Sequence, residues 1–74
     1  MYDARYRQIG AKIRYYRTIK DINQAEFAQT VGITSQYLSK IERGTAKPST
    51  DLLFQITDAL GIDITVIMKC DLGV

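Results

Sequence analysis

The sequence predicts a small all-α protein, a compact bundle of four to five helices. Three observations favour this fold: apolar residues recur at steps of three and four, polar capping residues precede these stretches, and glycines follow them. The chain has 74 residues, of which 46% are hydrophobic and 24% are charged, a composition typical of one globular domain. Residues 1–74 are therefore expected to form a single domain.

The first two helices are predicted from an amphipathic stretch and a capping pair. Within the first twenty residues one apolar face is formed by Tyr6, Ile9, Ile13 and Tyr16. Asn23 is a favourable N-cap, and Glu26 is placed to bond back to the backbone N–H of Asn23 in a capping box. The second helix should begin at Gln24 and end at Gly32, since glycine tolerates the left-handed backbone that ends helices.

Two further helices are predicted after short connections. Thr34 is the expected N-cap of the third helix, which packs inward through Leu38 and Ile41 and ends at Gly44. Ser49 is the expected N-cap of the fourth helix, which ends at Gly61. The apolar stripe predicted for this helix contains Leu52, Leu53, Ile56, Ala59 and Leu60.

The segment after the fourth helix has a different pattern. Over residues 62–70, with the exception of Ile67, apolar and polar residues alternate, which favours a β-strand that ends near Cys70. One strand beside four helices has no sheet to join, so residues 62–74 are expected to dimerise the protein by pairing with a second copy. The alternative is a short fifth helix that packs Ile64 and Ile67 on the bundle.

The composition argues against several classes of function. The chain has no His and one Cys, which excludes an internal disulfide, a Cys/His zinc site and a His general base. It has no phosphate-binding glycine loop and no cluster of acids, so neither a cofactor nor enzymatic activity is expected. An unpaired thiol, together with the lack of a membrane span or signal-peptide core, predicts a cytoplasmic protein without a membrane partner.

The formal net charge of +2 is unevenly distributed along the chain. Residues 1–47 contain nine Lys or Arg and four Asp or Glu, whereas residues 48–74 contain one Lys and four Asp. A basic stretch is often only a solvated face, but it also suits a polyanionic partner.

A helix-turn-helix is expected over about residues 23–43, because the second and third helices are joined by a short turn centred on Gly32. The third helix leaves polar and cationic side chains on its outer face. These are Ser35, Gln36, Ser39, Lys40 and Arg43. Such side chains suit base edges and phosphates, and the major groove of B-DNA admits one α-helix.

Three stretches resemble the phage repressor/Cro-type (XRE-type) helix-turn-helix family: INQAEFA at 22–28, VGIT at 31–34 and YLSKIERG at 37–44. The resemblance extends from about Ile9 to Ile62. It implies a lambda-repressor-like fold and a homodimer that binds a near-palindromic double-stranded DNA operator as a transcriptional repressor or regulator. The alternative is the antitoxin of a toxin–antitoxin pair, which binds a protein toxin and represses its own operon. Some members of the family join these helices to a C-terminal dimerising strand, to which the predicted strand of this chain is similar.

The resemblance also implies roles for individual residues. Base contacts are implied for Ser35, Gln36 and Lys40 and for the flanking Ser39 and Tyr37, where Tyr37 offers a hydroxyl to a phosphate or its ring to a thymine methyl. Phosphate contacts are implied for Asn23, Gln24, Arg43 and Lys47. Arg17 and Glu42 match the positions of a structural ion pair between the first and third helices.

Overall fold

The computed structural model describes residues 4–69, and this part of the chain is built from five helices and contains no strand. The predicted all-α fold is therefore confirmed. The helices are α1 (Ala4–Ile19), α2 (Gln24–Val31), α3 (Ser35–Arg43), α4 (Thr50–Leu60) and α5 (Ile64–Met68). Over these residues, none of the helices combines the length and the apolar character needed to cross a bilayer.

The predicted N-caps of α2, α3 and α4 are confirmed. Asn23 Oδ1 accepts from the Glu26 backbone N–H at 2.8 Å, and Thr34 and Ser49 make the equivalent hydrogen bonds at 3.0 and 3.1 Å. The expected capping box differs in one contact, because the Glu26 carboxylate accepts from the Asn23 side-chain amide at 2.7 Å. Each of these helices ends at a glycine in the left-handed region, as predicted; at Gly32 φ is +86°.

The hydrophobic core draws residues from all five helices. Its buried members are Ile9, Ile13, Phe27, Ala28, Leu38, Ile41, Leu53, Ile56, Leu60 and Ile67. Tyr6 and Tyr16 of the predicted α1 face are half-buried against this core. The predicted α4 stripe is wrong at Ala59, which is exposed, since α4 packs inward along Leu53, Ile56 and Leu60.

The predicted β-strand over residues 62–70 is wrong where the structure describes it, because Ile64–Met68 form α5. The Asp63 carboxylate caps this helix by accepting from the Thr65 backbone N–H and hydroxyl, both at 2.9 Å. These hydrogen bonds lower the pKa of Asp63 below its ordinary value of 3.8. Ile67, which interrupts the alternation, is fully buried, whereas a strand would have placed it on the polar face.

Because residues 64–68 form a helix, they do not pair as a strand with a second copy, and the expected strand-mediated dimer is wrong over these residues. The fifth-helix alternative is the one that the structure contains, with Ile67 in the core and Ile64 packed against it. Cys70 and the rest of the tail lie outside the described residues.

Helices α1 and α3 come into close backbone contact at Gly10. A Cβ atom at this position would lie 2.8 Å from the backbone oxygen of Glu42, and closer still to that of Ile41. Real Cβ atoms essentially never come this near to a backbone atom. Only glycine therefore permits this crossing, which sets the position of α3 on the bundle.

Candidate nucleic-acid interface

Helix α3 divides its side chains between the core and an open groove. Leu38, Ile41 and Glu42 are buried, while Gln36, Lys40 and Arg43 are exposed on the opposite side. The groove has a volume of about 530 Å³. Its lining residues are Gln24, Ser35, Gln36, Ser39, Lys40 and Arg43.

The structure thus brings together four of the five residues that were expected to contact bases. Ser35, Gln36, Ser39 and Lys40 line the groove, and Gln24 reaches it from the first turn of α2. Five of the six lining residues belong to one short helix, whose width the major groove of B-DNA accepts. The groove is a surface of hydroxyls, amides and cations rather than an enclosed apolar pocket.

Three expected site residues lie away from this groove. Tyr37 is half-buried and packs against the core. Asn23 has both its side-chain oxygen and its amide engaged with Glu26, one turn into α2. Lys47 is exposed in the loop before α4, with its Nζ 6.0 Å from the centre of the Tyr6 ring.

Arg17 and Glu42 form a two-pronged ion pair between α1 and α3. Arg17 Nε lies 2.7 Å from Glu42 Oε2, and Arg17 Nη2 lies 3.1 Å from Glu42 Oε1. The two side chains are only 11% and 4% exposed, so the pair is shielded from solvent. Arg17 Nη1 also donates to the Ile22 carbonyl oxygen at 2.7 Å, which joins the α1–α2 turn to the pair. The pair therefore orients α3 relative to two other parts of the fold.

Gln24 is attached to this ion pair through its amide. Gln24 Nε2 donates to Glu42 Oε1 at 3.2 Å, so the Glu42 carboxylate accepts from both Arg17 and Gln24. Sequence reasoning missed this contact, because the two residues are 18 positions apart and meet only after α2 and α3 cross. The contact fixes the Gln24 side chain at the edge of the groove.

The cations of the groove are not neutralised by neighbouring carboxylates. Within residues 4–69, neither Lys40 nor Arg43 forms an ion pair. Glu42 is the nearest acid on α3, and its charge is already compensated by Arg17. The surface around α3 therefore presents net positive charge to solvent.

A second, smaller groove of about 360 Å³ shares Gln24, Ser39 and Arg43 with the first one and extends to α1. Its lining residues are Arg14, Arg17, Gln24, Ser39, Glu42 and Arg43. Arg14 was not singled out from the sequence, since its place beside α3 depends on the close crossing at Gly10. Among the described residues, no group of three or more His, Cys, Asp or Glu side chains is arranged to hold a metal ion.

A comparison with protein families decides what kind of protein this is. The model of a helix-turn-helix family matches residues 13–67, which include the whole α3 groove. The chain belongs to the XRE-type helix-turn-helix family. This membership confirms the resemblance drawn from the sequence, and relatives in the family carry the name of HTH-type transcriptional regulators.

Sequence relatives of this helix-turn-helix chain include regulators and a phage protein. An uncharacterised HTH-type transcriptional regulator of Mycobacterium tuberculosis is 39% identical over 58 residues, which are 78% of this chain and 41% of that protein. The chain thus spans about two fifths of that relative. The ImmF control region 10 kDa protein of Bacillus phage phi105 is 34% identical over 92% of this chain and 76% of its own length. Antitoxin PezA of Streptococcus pneumoniae is 44% identical over 61% of this chain and 28% of PezA.

Solved structures show the same fold. The clp gene regulator ClgR from Corynebacterium glutamicum superposes with a TM-score of 0.85 at 28% identity, over 92% of this chain and 87% of ClgR. The P22 c2 repressor, solved in complex with a synthetic operator, superposes with a TM-score of 0.78 at 28% identity, over 85% of this chain and 96% of the repressor.

Proposed function

We propose that this protein is a sequence-specific, double-stranded DNA-binding regulator that acts as a homodimer and not as an enzyme. The observation that carries the proposal is the α3 groove, which brings the hydrogen-bonding side chains of Gln24, Ser35, Gln36 and Ser39 together with the cations Lys40 and Arg43, which are unpaired within residues 4–69. Similarity to the operator-bound P22 c2 repressor supports a duplex as the ligand and repression as the regulatory effect. Because the proposed ligand is duplex DNA, the proposed site of action is the cytoplasm.

In this proposal the outer face of α3 reads bases in the major groove. The Gln36 amide offers a donor and an acceptor, the pair that matches adenine N6 and N7. Lys40, one turn further along α3, donates to guanine O6 and N7. Ser35 and Ser39 lie beside them and supply hydroxyls that bond to either base edge. Tyr37 packs against the core, so we assign it the role of anchoring α3 beside these residues.

The backbone contacts are proposed to come from the two ends of the motif. Gln24 stands in the first turn of α2, where free backbone N–H groups and the helix dipole favour a phosphate. Asn23 supports this contact by capping α2, and the Gln24–Glu42 hydrogen bond holds the amide in place. Arg43 at the end of α3 and Lys47 in the following loop supply cations for further phosphates.

We propose a homodimer because of the small size of the reading surface. One α3 helix contacts only a few base pairs, whereas two helices related by a two-fold axis read a near-palindrome with half-sites about 34 Å apart. Large apolar side chains of the kind that dimer interfaces cover are exposed on α1 (Tyr15 and Ile19, 59% each), on α4 (Phe54, 47%) and on α5 (Met68, 47%). We propose that the dimer contact, in place of the incorrectly predicted strand, is drawn from these side chains.

The proposal is tested by selection from random duplex oligonucleotides at low salt, followed by footprinting of the selected site. We expect enrichment of a near-palindrome and two protected half-sites centred about one helical turn apart, with two protomers per site. Recovery of duplexes that share no common sequence, together with weak and uniform protection of the DNA, would contradict specific binding. Protection of a single half-site by one protomer would contradict the homodimer.

A second candidate is an antitoxin that binds a protein toxin and represses its own operon, favoured by the similarity to PezA. The matched part is 28% of PezA, so it supports the DNA-binding role more directly than a toxin-binding one. Co-expression with the adjacent reading frame separates the two candidates. Stoichiometric co-purification and suppression of that gene product's toxicity would favour the antitoxin, and independent purification would favour the regulator.

A further inference from the structure

We propose that Arg14 is a DNA-backbone contact, so that α1 as well as the helix-turn-helix takes part in the interface. This inference rests on the proposed function and extends it to a residue outside the motif. The decisive observation is that Arg14 and Arg43 line one groove, which joins the α3 groove through Gln24 and Ser39.

The position of Arg14 follows from the packing of α1 on α3. Gly10, Arg14 and Arg17 follow one another at helical spacing on α1. Gly10 lies against the α3 backbone, and Arg17 binds Glu42 near the end of α3. Arg14 stands between these two anchor points, and its exposed side chain lies at the edge of the surface that α3 presents.

The charges around Arg14 favour an anion from outside the protein. Within residues 4–69, Arg14 has no ion pair, and neither has Arg43 across the groove. Glu42 is the only carboxylate that lines the groove, and its oxygens already accept from Arg17 and Gln24. Two uncompensated guanidinium groups that line the same groove give it a positive potential, which a phosphate would neutralise.

The contact is assigned to the phosphate backbone rather than to a base. Arg14 belongs to α1, whereas the groove that suits the major groove of DNA is lined by α3 and Gln24. Its effect should therefore be the same for all duplex sequences. Each neutralised phosphate contributes about 0.9 to the slope of log affinity against log salt. Affinity falls between 50 and 200 mM salt, and the factor by which it falls should be about 3.5-fold smaller per protomer without Arg14 than in the parent.

A structural role for Arg14 makes a different prediction. A cation near the end of α3 also stabilises that helix through the helix dipole. In that case, removal of its charge would lower the melting temperature and leave the salt slope unchanged.

The experiment compares Arg14→Gln with Lys69→Gln in the full chain. Both variants remove one positive charge, but Lys69 follows α5 and lines neither groove. Dissociation constants are measured between 50 and 200 mM salt on the selected duplex and on a scrambled duplex, with the melting temperature as a second readout. We expect Arg14→Gln to reduce the slope by about 0.9 per protomer on both duplexes, with an unchanged melting temperature, and Lys69→Gln to leave the slope intact.

Three results would overturn the assignment. An unchanged slope in Arg14→Gln, with or without a lower melting temperature, would remove Arg14 from the interface while leaving the proposed function in place. Equal slope reductions in both variants would show an effect of net charge alone. A parent protein that binds neither duplex at low salt would refute the proposed function, and the Arg14 contact with it.

Discussion

Substitution of Gly10 by Ala tests whether the α1–α3 crossing is as close as the structure shows. In an exposed helix interior this change normally stabilises a protein by about 1 kcal/mol. Here the new Cβ would lie 2.8 Å from Glu42 O and 2.9 Å from Glu42 C, and these backbone atoms cannot rotate away. Overpacking of this kind costs about 1–3 kcal/mol. Because the Glu42 backbone is rigid, we expect a cost near the upper end of this range. We therefore expect a net loss of about 2 kcal/mol, opposite in sign to the helix-propensity effect.

The loss is measured by urea denaturation and by thermal melting. A loss of about 2 kcal/mol should lower the melting temperature by about 8–16 °C in a domain of this size. Gly61→Ala is the control, because φ is +70° there but nothing lies within 4 Å of the new Cβ. The control should cost about 1–2 kcal/mol from backbone strain alone. A Gly10→Ala variant as stable as the parent, or more stable, would refute the close crossing.

Three further substitutions, together with Thr30→Ala as a control, test the ion pair and the caps. Glu42→Ala should lower the free energy of unfolding by about 3 kcal/mol, because it leaves the shielded Arg17 without its carboxylate; a loss below 1 kcal/mol would contradict this. Thr34→Ala should cost about 1 kcal/mol as the α3 cap is lost, whereas Thr30→Ala, which removes only an exposed bond to a helix carbonyl, should be nearly neutral. The pKa of Asp63 is lowered in the folded state, so its stabilising contribution is present above pH 3.8 and is lost as the pH falls below it. Melting of Asp63→Ala should therefore depend less on pH in that range than melting of the parent.

Helix boundaries are the part of the fold most readable from the sequence. Asn23, Thr34 and Ser49 were recognised as caps because each one bonds to a backbone N–H only three residues away. The left-handed ends at Gly32 and Gly61 depend on the same kind of local chemistry. Such interactions lie within one turn of the chain, so a sequence window contains both partners.

Features that depend on distant partners were harder to predict. Ile67 is one residue within an alternating pattern, and only its burial among residues of the other helices decides between helix and strand. The approach at Gly10 joins residues more than thirty positions apart, and without it Arg14 cannot be placed beside α3. Tyr37 has the chemistry of a DNA contact, and its half-burial against the core could not be read from the sequence because it depends on how α3 packs on the other helices.

In the proposed function, the outer face of α3 recognises a specific duplex. The most direct test of this recognition is the affinity of a Gln36→Ala, Lys40→Ala double variant for the selected site and for a scrambled duplex, with circular dichroism to verify the fold. Since each good base contact contributes about 1–3 kcal/mol of discrimination, the double variant should lose most of its preference for the selected site and retain weak, salt-dependent binding to both duplexes. A folded double variant with the preference of the parent would contradict the account.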